Sequence, residues 1–555
     1  MSAPSVALYA LQRLAALGID RAFGVPGDYT FPVDDAIAEA GLSWILCSNE
    51  LNAAYAADGY ARIAGAAILT TTYGVGELSA LNGVMGAKAH RLPVFHLVGR
   101  PAMRIQRARL ITHHGLGQPV YDMFDPLSAA AACVMAHLTP ENAGREMDRV
   151  ISEALRQSAP AYISFAQDLA LMPVIDAEHE PLPPARLHGG STAKELEAAV
   201  SAVARRLNAA RTPVILPTMA LRRHAALPAL HRLLDRSRIP FAVMPMDKGL
   251  ISEDHPLFLG SYTGASSEPA LRERIESADL ILELGEAVMV DLNTGLWTAR
   301  LNPERSLVAG DDYVAVDGRV FTGVTLPDVV AGLADAVEPR GDLAAIPAPA
   351  PPPPSGAPTD PISSAAFYPR LQAMLRPGDI LVAETGSVSF ATAKLTLPAK
   401  VGYESQTLWG SIGWATPAAM GVAMAQREGR TVLVTGDGAH QMTINELGAM
   451  SRYGVKPVIF VMNNDIYGIE YNLSRVGDSF NQLPRWRYAD LPAAMGCENW
   501  FAARVDTLAE LDRAIASANS EDRAAYIQVI IPAAESQPFR PAMIQQLDKT
   551  ETPTE

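Results

Sequence analysis

Short apolar runs recur along the chain, each bounded by Gly or Pro and followed by a stretch with helical spacing. AAILTTTYG and PVFHLVG lie in the first third. TPVILP, PFAVMP and ADLILELG lie in the middle, and GDILVAETG, RTVLVTGDG, KPVIFVMNND and AAYIQVIIP in the last. Runs this short and this uniformly apolar predict strands buried on both faces, and the stretches between them predict helical crossovers. The expected architecture is α/β, with three doubly wound parallel-sheet domains.

Two stretches interrupt the pattern. DAEHEPLPPARLHGGST, residues 176–192, is polar and Pro-rich, and IPAPAPPPPSGAPTDP, residues 346–361, forms neither helix nor central strand. They predict domains over 1–180, 192–345 and 360–555. No short repeat of fixed period is present.

Composition narrows the function classes. The chain has 555 residues, 49% hydrophobic and 19% charged, enough for several buried cores. A net charge of -15 argues against nucleic-acid binding, which needs basic patches. It suits a soluble cytoplasmic protein. Cys47, Cys133 and Cys497 are scattered without metal-ligand spacing, so they are expected to be buried structural thiols in a reducing compartment. No signal-peptide h-region and no run of about 18 apolar residues is seen, so neither secretion nor a membrane span is expected.

The chemistry concentrates in GDGAHQMTINELGAMSRYGVKPVIFVMNND, residues 436–465. RTVLVT reads as a strand with GDG at its carboxyl end, HQMTINELGAMSRY as a helix, and VIFVM as a strand ending at Asn463 and Asn464. In a parallel sheet both carboxyl ends lie on one edge, where ligands bind. Glycines admit close backbone approach, and a helix N-terminus offers N–H groups to an anion. Asp437 and the Asn464 side-chain carbonyl are hard oxygen ligands suited to Mg²⁺. The constellation reads as a site for Mg²⁺ bridging a pyrophosphate.

GDG followed after 24 residues by NN resembles the thiamine diphosphate signature of the 2-oxo acid decarboxylases and their relatives. That resemblance extends over nearly the whole chain. It implies a pyrimidine-binding domain, a middle domain and a pyrophosphate-binding domain in that order. It also implies a cofactor held between the first domain of one subunit and the third of another, hence at least a homodimer and commonly a tetramer. Glu50, in SNELNAAYAADGYARIAG, matches the glutamate that activates the cofactor pyrimidine. In LWGSIGWATPAAMG, Ile412 matches the apolar wedge beneath the bent cofactor, and the Gly410 carbonyl matches the acceptor for its amino group. The same resemblance implies cofactor contacts at Thr385, Ser387, Ser411, Gly436, Asp437, Gly438, Ala439, Asn464 and Ile466. It implies metal ligands at Asp437, Asn464 and Ile466.

The acid–base groups set the reaction. Asp28 in FGVPGDYTFP, His113 and His114 in LITHHGLGQ, and Glu470 in NNDIYGIEYNL match the non-oxidative decarboxylases, exemplified by the pyruvate and indolepyruvate enzymes. The implied reaction converts a 2-oxo acid to an aldehyde and CO₂ through an ylid and an enamine. Glu470 is expected to be buried beside the substrate carboxylate. Asp28 and His114 are expected to handle protonation and release, and His113 to hold the network. The adjacent His pair is expected to be a poor metal motif, because neighbours on a strand or helix point apart. Carboligases and synthases on the same scaffold would lack the His pair and Glu470. A non-catalytic homologue would break the GDG–NN motif or replace Glu50.

The chain departs from the family at Ile466-Tyr467-Gly468, where Gly-Tyr-Thr is usual. By resemblance the substrate wall includes Leu292, Thr385, Ser389, Trp409, Ile469 and Leu473. Pyruvate-restricted members often carry aromatics at the positions of Leu292 and Ser389, so a roomier pocket and a broad preference for bulky 2-oxo acids are expected, with pyruvate the alternative. No GxGxxG motif accompanies ADLILELGEA in the middle domain, so no flavin is expected there.

Overall fold

The computed structural model describes residues 3–175, 190–341, 352–473 and 479–533. Residues 176–189, most of the first predicted interdomain stretch, and 342–351, which include the start of the second, lie outside them.

Every apolar run singled out in the sequence is a strand. The first sheet contains β1 (Arg21–Gly24), β2 (Ser43–Leu46), β3 (Ala67–Thr72), β4 (Val94–Arg100), β5 (Val134–Leu138) and β6 (Ala161–Ala166). Its order is β2-β1-β3-β4-β6-β5, and all its pairs are parallel. Strands β3, β4 and β6 are buried along their full length, as uniformly apolar strands covered on both faces must be.

The second sheet contains β7 (Pro213–Pro217), β8 (Phe241–Val243), β9 (Phe258–Ser261), β10 (Leu280–Leu284), β11 (Ser306–Ala309), β12 (Tyr313–Val316) and β13 (Arg319–Thr322). Its order is β13-β12-β11-β10-β7-β8-β9. Here the structure departs from an all-parallel expectation, because β12 runs antiparallel to both of its neighbours, β11 and β13. Asp317 and Gly318 join β12 to β13 as a two-residue turn with φ of 52° and 72°, the geometry that makes Asp-Gly a hairpin signal.

The third sheet contains β14 (Ile380–Ala383), β15 (Gly402–Ser405), β16 (Thr431–Gly436), β17 (Val458–Asn463), β18 (Phe501–Val505) and β19 (Ala525–Ile530). Its order, β15-β14-β16-β17-β19-β18, repeats the connectivity of the first sheet, and its pairs are again parallel. Leu381, Val432, Val434, Phe460 and Ile527 form part of its core.

Seven helices position the chemistry: α1 (Glu50–Ala64), α2 (Val75–Ala89), α3 (Ser387–Ala393), α4 (Ala415–Ala425), α5 (Asp437–Gln441), α6 (Glu446–Arg452) and α7 (Gly468–Leu473). The single helix expected after GDG is two. Residues 442–445 form turns that separate α5 from α6.

That break matters, because the chain divides into two compact units between these helices. One unit comprises residues 1–189, 414–427 and 443–455; the other comprises 190–413, 428–442 and 456–555. The first unit therefore holds the first sheet with α1, α2, α4 and α6. The second holds the other two sheets with α3, α5 and α7.

In the first unit α4 packs directly on α1. A Cβ on Gly421 would lie 1.9 Å from the Ala56 carbonyl oxygen, so only glycine permits the approach. The contact is closed by Trp414, whose indole Nε1 donates to Asp58 Oδ1 at 2.9 Å. Arg62 Nε pairs with the same oxygen at 2.7 Å, and its guanidinium lies 4.5 Å from the indole ring centroid.

In the second unit a buried ion pair ties the second and third sheets together. Lys248 Nζ pairs with Glu253 Oε1 at 2.7 Å and donates to the Leu395 carbonyl, while Glu253 Oε2 accepts the Leu397 N–H at 2.8 Å. Both side chains are almost fully excluded from solvent.

The three thiols are free; Cys47 and Cys497 are buried as expected, and Cys133 is only half-buried. Desolvation still pushes the Cys133 thiol up to about 11. Among the described residues no helix is long and apolar enough to cross a membrane.

Candidate active site

In the second unit, β16 and β17 end side by side, with Gly436 opposite Met462 in the register. Asp437 opens α5 and Asn464 follows β17 directly. Asp437 Oδ2 accepts three donors at once: Asn463 Nδ2 at 2.7 Å, Asn464 N at 3.1 Å and Asp465 N at 2.8 Å. Burial pushes the Asp437 carboxyl above its usual range, and these hydrogen bonds oppose the shift.

With Oδ2 so occupied, Oδ1 accepts the Gly438 N–H at 2.9 Å and also faces the adjoining loop. One terminal atom of the Asn464 amide lies 2.8 Å from the Ile466 carbonyl oxygen and 3.3 Å from Asp437 Oδ1. As nitrogen, this atom donates to both oxygens. Turned the other way, the amide sets its oxygen beside the other two, a group of oxygens that a bound cation would satisfy. The donor set is all hard oxygen, which suits Mg²⁺.

These groups line an open cavity of about 790 Å³. Thr385, Ser387, Ile412, Gly436, Asp437, Gly438, Ala439, Asn464 and Ile466 all border it, as do Ile469 and Glu470. Helices α3 and α5 both begin at its wall. Gly410 and Ser411 are not part of the lining. They sit in the irregular loop before α4, where Gln406 Oε1 accepts the Ser411 N–H at 2.9 Å. Glu470 is exposed, so the burial expected around it is absent.

A second cavity of about 720 Å³ adjoins the other side of α3. Ser387 and Val388 face the first cavity, while Ser389, Phe390 and Ala393 face the second. Leu292 and Leu296 of the second-sheet domain complete its apolar wall, with Lys394 also on the lining. Leu292 and Ser389 thus meet in one cavity, and Thr385 and Ile469 in the other. Trp409 is exposed and borders neither. The side chain of Leu473 lies outside the described residues.

In the first unit, Glu50 is the first residue of α1, and Asn49 caps the helix by accepting the Asn52 N–H at 2.8 Å. The Glu50 carboxylate reaches the first turn of α2, 3.3 Å from where a Cβ on Gly76 would stand.

Asp28, His113 and His114 converge in the same unit. His113 Nε2 lies 3.0 Å from Asp28 Oδ2, and the two imidazole rings meet edge to face with centroids 4.5 Å apart. The expectation that neighbouring histidines diverge fails for a local reason. The pair lies in a turn rather than a helix or strand, and His114 adopts a φ of 64° that turns its ring back on His113. Gly74 makes room for that turn, since a Cβ there would lie 2.3 Å from the His114 carbonyl oxygen.

Tyr29 was not singled out in the sequence. Its ring stacks on His113 at 4.8 Å, and its hydroxyl lies 3.2 Å from His113 Nδ1. Its one sequence signal is adjacency to Asp28. Both nitrogens of His113 therefore have partners, which fixes the ring.

Comparison with known proteins identifies the domains and the family. The family described as "Thiamine pyrophosphate enzyme, N-terminal TPP binding domain" matches residues 5–125. The central domain of the same enzymes matches 200–326, and their C-terminal TPP binding domain matches 384–529. An alpha-keto-acid decarboxylase of Mycobacterium leprae is 38% identical over 537 residues, 95% of this chain and 93% of its own. A protein of the same name from Mycobacterium ulcerans is 36% identical over 549 residues, 98% of this chain and 96% of its own. One from Mycobacterium tuberculosis is 37% identical over 536 residues, 95% and 94%. With its three domains matched in order and its length covered almost entirely, the chain belongs to the thiamine diphosphate-dependent 2-oxo acid decarboxylase family.

Proposed function

We propose that this protein is a non-oxidative decarboxylase that converts 2-oxo acids, preferentially those with bulky aromatic or aliphatic side chains, to aldehydes and CO₂. The observation that carries this reading is the convergence of Asp28, His113 and His114. A synthase on the same scaffold has no need of that acid–base cluster.

Bound thiamine diphosphate supplies a thiazolium that accepts the electron pair released as CO₂ departs. The chain's own residues do the rest. Asp437, Asn464 and the Ile466 carbonyl would hold Mg²⁺, and the N-termini of α3 and α5 would offer N–H groups to the pyrophosphate. Ile412 would support the cofactor, the Gly410 carbonyl would accept a hydrogen bond from its amino group, and Glu50 from the first domain of a second subunit would bind its pyrimidine. Glu470 stands at the cavity wall, where a carboxyl group exchanges protons with the reacting carbon. His113 Nε2 lies 3.0 Å from Asp28 Oδ2 and the His114 ring lies against His113, so the three side chains form one acid–base cluster that would serve proton transfer.

The cavity bordered by Leu292 and Ser389 supports the substrate preference, because neither residue fills it as an aromatic would. We further propose a cytoplasmic homotetramer built from dimers that share active sites.

The test is aldehyde formation from pyruvate, 2-oxoisovalerate, phenylpyruvate and indolepyruvate, with thiamine diphosphate and Mg²⁺ supplied. Higher kcat/KM for the bulky acids is expected. A clear preference for pyruvate would make this a pyruvate decarboxylase, and no aldehyde from any of the four would overturn the proposal.

A further inference from the structure

We infer that Asp28, His113 and His114 form a binding site for a zinc-type divalent cation, separate from the oxygen site at Asp437. One ligand atom from each of the three lies within 4.8 Å of the others. Two imidazoles and one carboxylate are a ligand set that prefers zinc and its neighbours to magnesium. Bonds of about 2.0–2.1 Å to such a cation place its ligands roughly 3.3 Å apart in a tetrahedron. The cluster therefore needs only a small contraction, and His113 Nε2 and Asp28 Oδ2, at 3.0 Å, are already close enough.

Two further features fit a ligand role. His114 Nδ1 is shielded from solvent and has no hydrogen-bond partner among the described residues. A buried nitrogen left without a partner is costly, and a metal bond satisfies it. His113 Nδ1 meets the Tyr29 hydroxyl at 3.2 Å. When Nε2 binds metal, Nδ1 carries the proton and donates it to that hydroxyl, the outer contact that metal-bound histidines need. Stacking on Tyr29 already fixes the ring plane. The remaining coordination positions open to solvent, since His113 and Asp28 are 59% and 44% exposed.

Occupancy ties up the nitrogens and the carboxylate assigned to proton movement, so the cation inhibits turnover. That consequence rests on the decarboxylase reading; binding itself does not.

The experiment titrates Co²⁺, a spectroscopic stand-in for Zn²⁺, into the full-length protein kept saturated with Mg²⁺ and thiamine diphosphate. The expected result is the intense visible absorption of four- or five-coordinate cobalt, saturating at one equivalent per chain and abolished by added Zn²⁺. The band is lost in His113→Gln and in His114→Gln. Asp28→Asn keeps both rings, and its Co²⁺ affinity falls by at least about tenfold. Only the pale octahedral spectrum in the wild type, a band that survives both histidine changes, or an Asp28→Asn protein of unchanged affinity overturns the site. None of these readouts depends on turnover, so they stand apart from a failure of the decarboxylase assignment. In the activity assay, Zn²⁺ at concentrations that fill the site stops aldehyde release; full activity with the site filled overturns the inhibitory role.

Discussion

Asp437 and Asn464 are joined across the tips of two adjacent parallel strands by a hydrogen bond of 3.1 Å from the Asn464 N–H to Asp437 Oδ2. The carboxylate thus spends one oxygen on holding the second loop, while the other accepts the Gly438 N–H at 2.9 Å at the cavity wall. We predict that Asp437→Asn lowers Mg²⁺-dependent affinity for thiamine diphosphate by at least about 10–100-fold. Calorimetric titration of the cofactor checks this, and unchanged affinity would remove Asp437 from the ligand set.

Glu470 borders the same cavity but contacts none of the three converging oxygens. Glu470→Gln should therefore bind cofactor normally while kcat falls by about 10²–10⁴-fold. Near-normal turnover would refute its acid–base role.

Ser389 faces the cavity that Leu292 borders. A Trp at 389 fills that space. The ratio of kcat/KM for phenylpyruvate to that for pyruvate should fall by at least about tenfold. An unchanged ratio would place the substrate side chain elsewhere.

Lys248 and Glu253 are buried as a pair, and each also holds backbone between α3 and β15. Lys248→Met leaves a buried carboxylate without its cation, at a cost of about 3–5 kcal/mol. The Lys248→Met, Glu253→Gln double variant removes that charge and should recover part of the loss. Apparent melting temperatures in the order wild type, double, single would agree; a single variant as stable as the wild type would not.

Asp247 is fully buried, with Oδ1 accepting the Met219 N–H at 2.7 Å, and desolvation pushes its carboxyl from 3.8 up to about 7. Between those values the unfolded chain has released the proton and the folded chain still holds it. Its contribution to stability is therefore full below 3.8, declines as pH rises toward about 7, and is level above. Asp247→Asn stays neutral throughout, so it should lose this decline. Melting temperatures of the two proteins that run parallel from pH 4 to 8 would contradict the assignment.

What could be read from the sequence was local. A strand buried on both faces leaves an uninterrupted apolar run, so β3, β4, β10, β16 and β17 were all legible. The GDG–NN pair was legible because its meaning depends only on two adjacent strands ending together. The Asp-Gly turn behind β12 and β13 carried a hairpin signal that the all-parallel expectation passed over. The convergence of His113 with His114 depends on one left-handed residue and on Tyr29 from a distant segment, and neither leaves a pattern. The turns at 442–445 lie within a stretch whose apolar spacing suits a single helix. The assignment of 414–427 and 443–455 to the first unit is wholly non-local.

That last arrangement has a consequence for how the protein is made. The face of α1 around Ala56 and Asp58 is covered by α4 and Trp414, which leave the ribosome after the whole of 190–413. At typical elongation rates this interval is on the order of 10–45 s. For that time the nascent first unit lacks a helix its close-packed surface was shaped to receive, and a truncation before residue 414 would never supply it. The N-terminal third is thus a separate domain by sequence but an unfinished one in synthesis, dependent on the last third of its own chain.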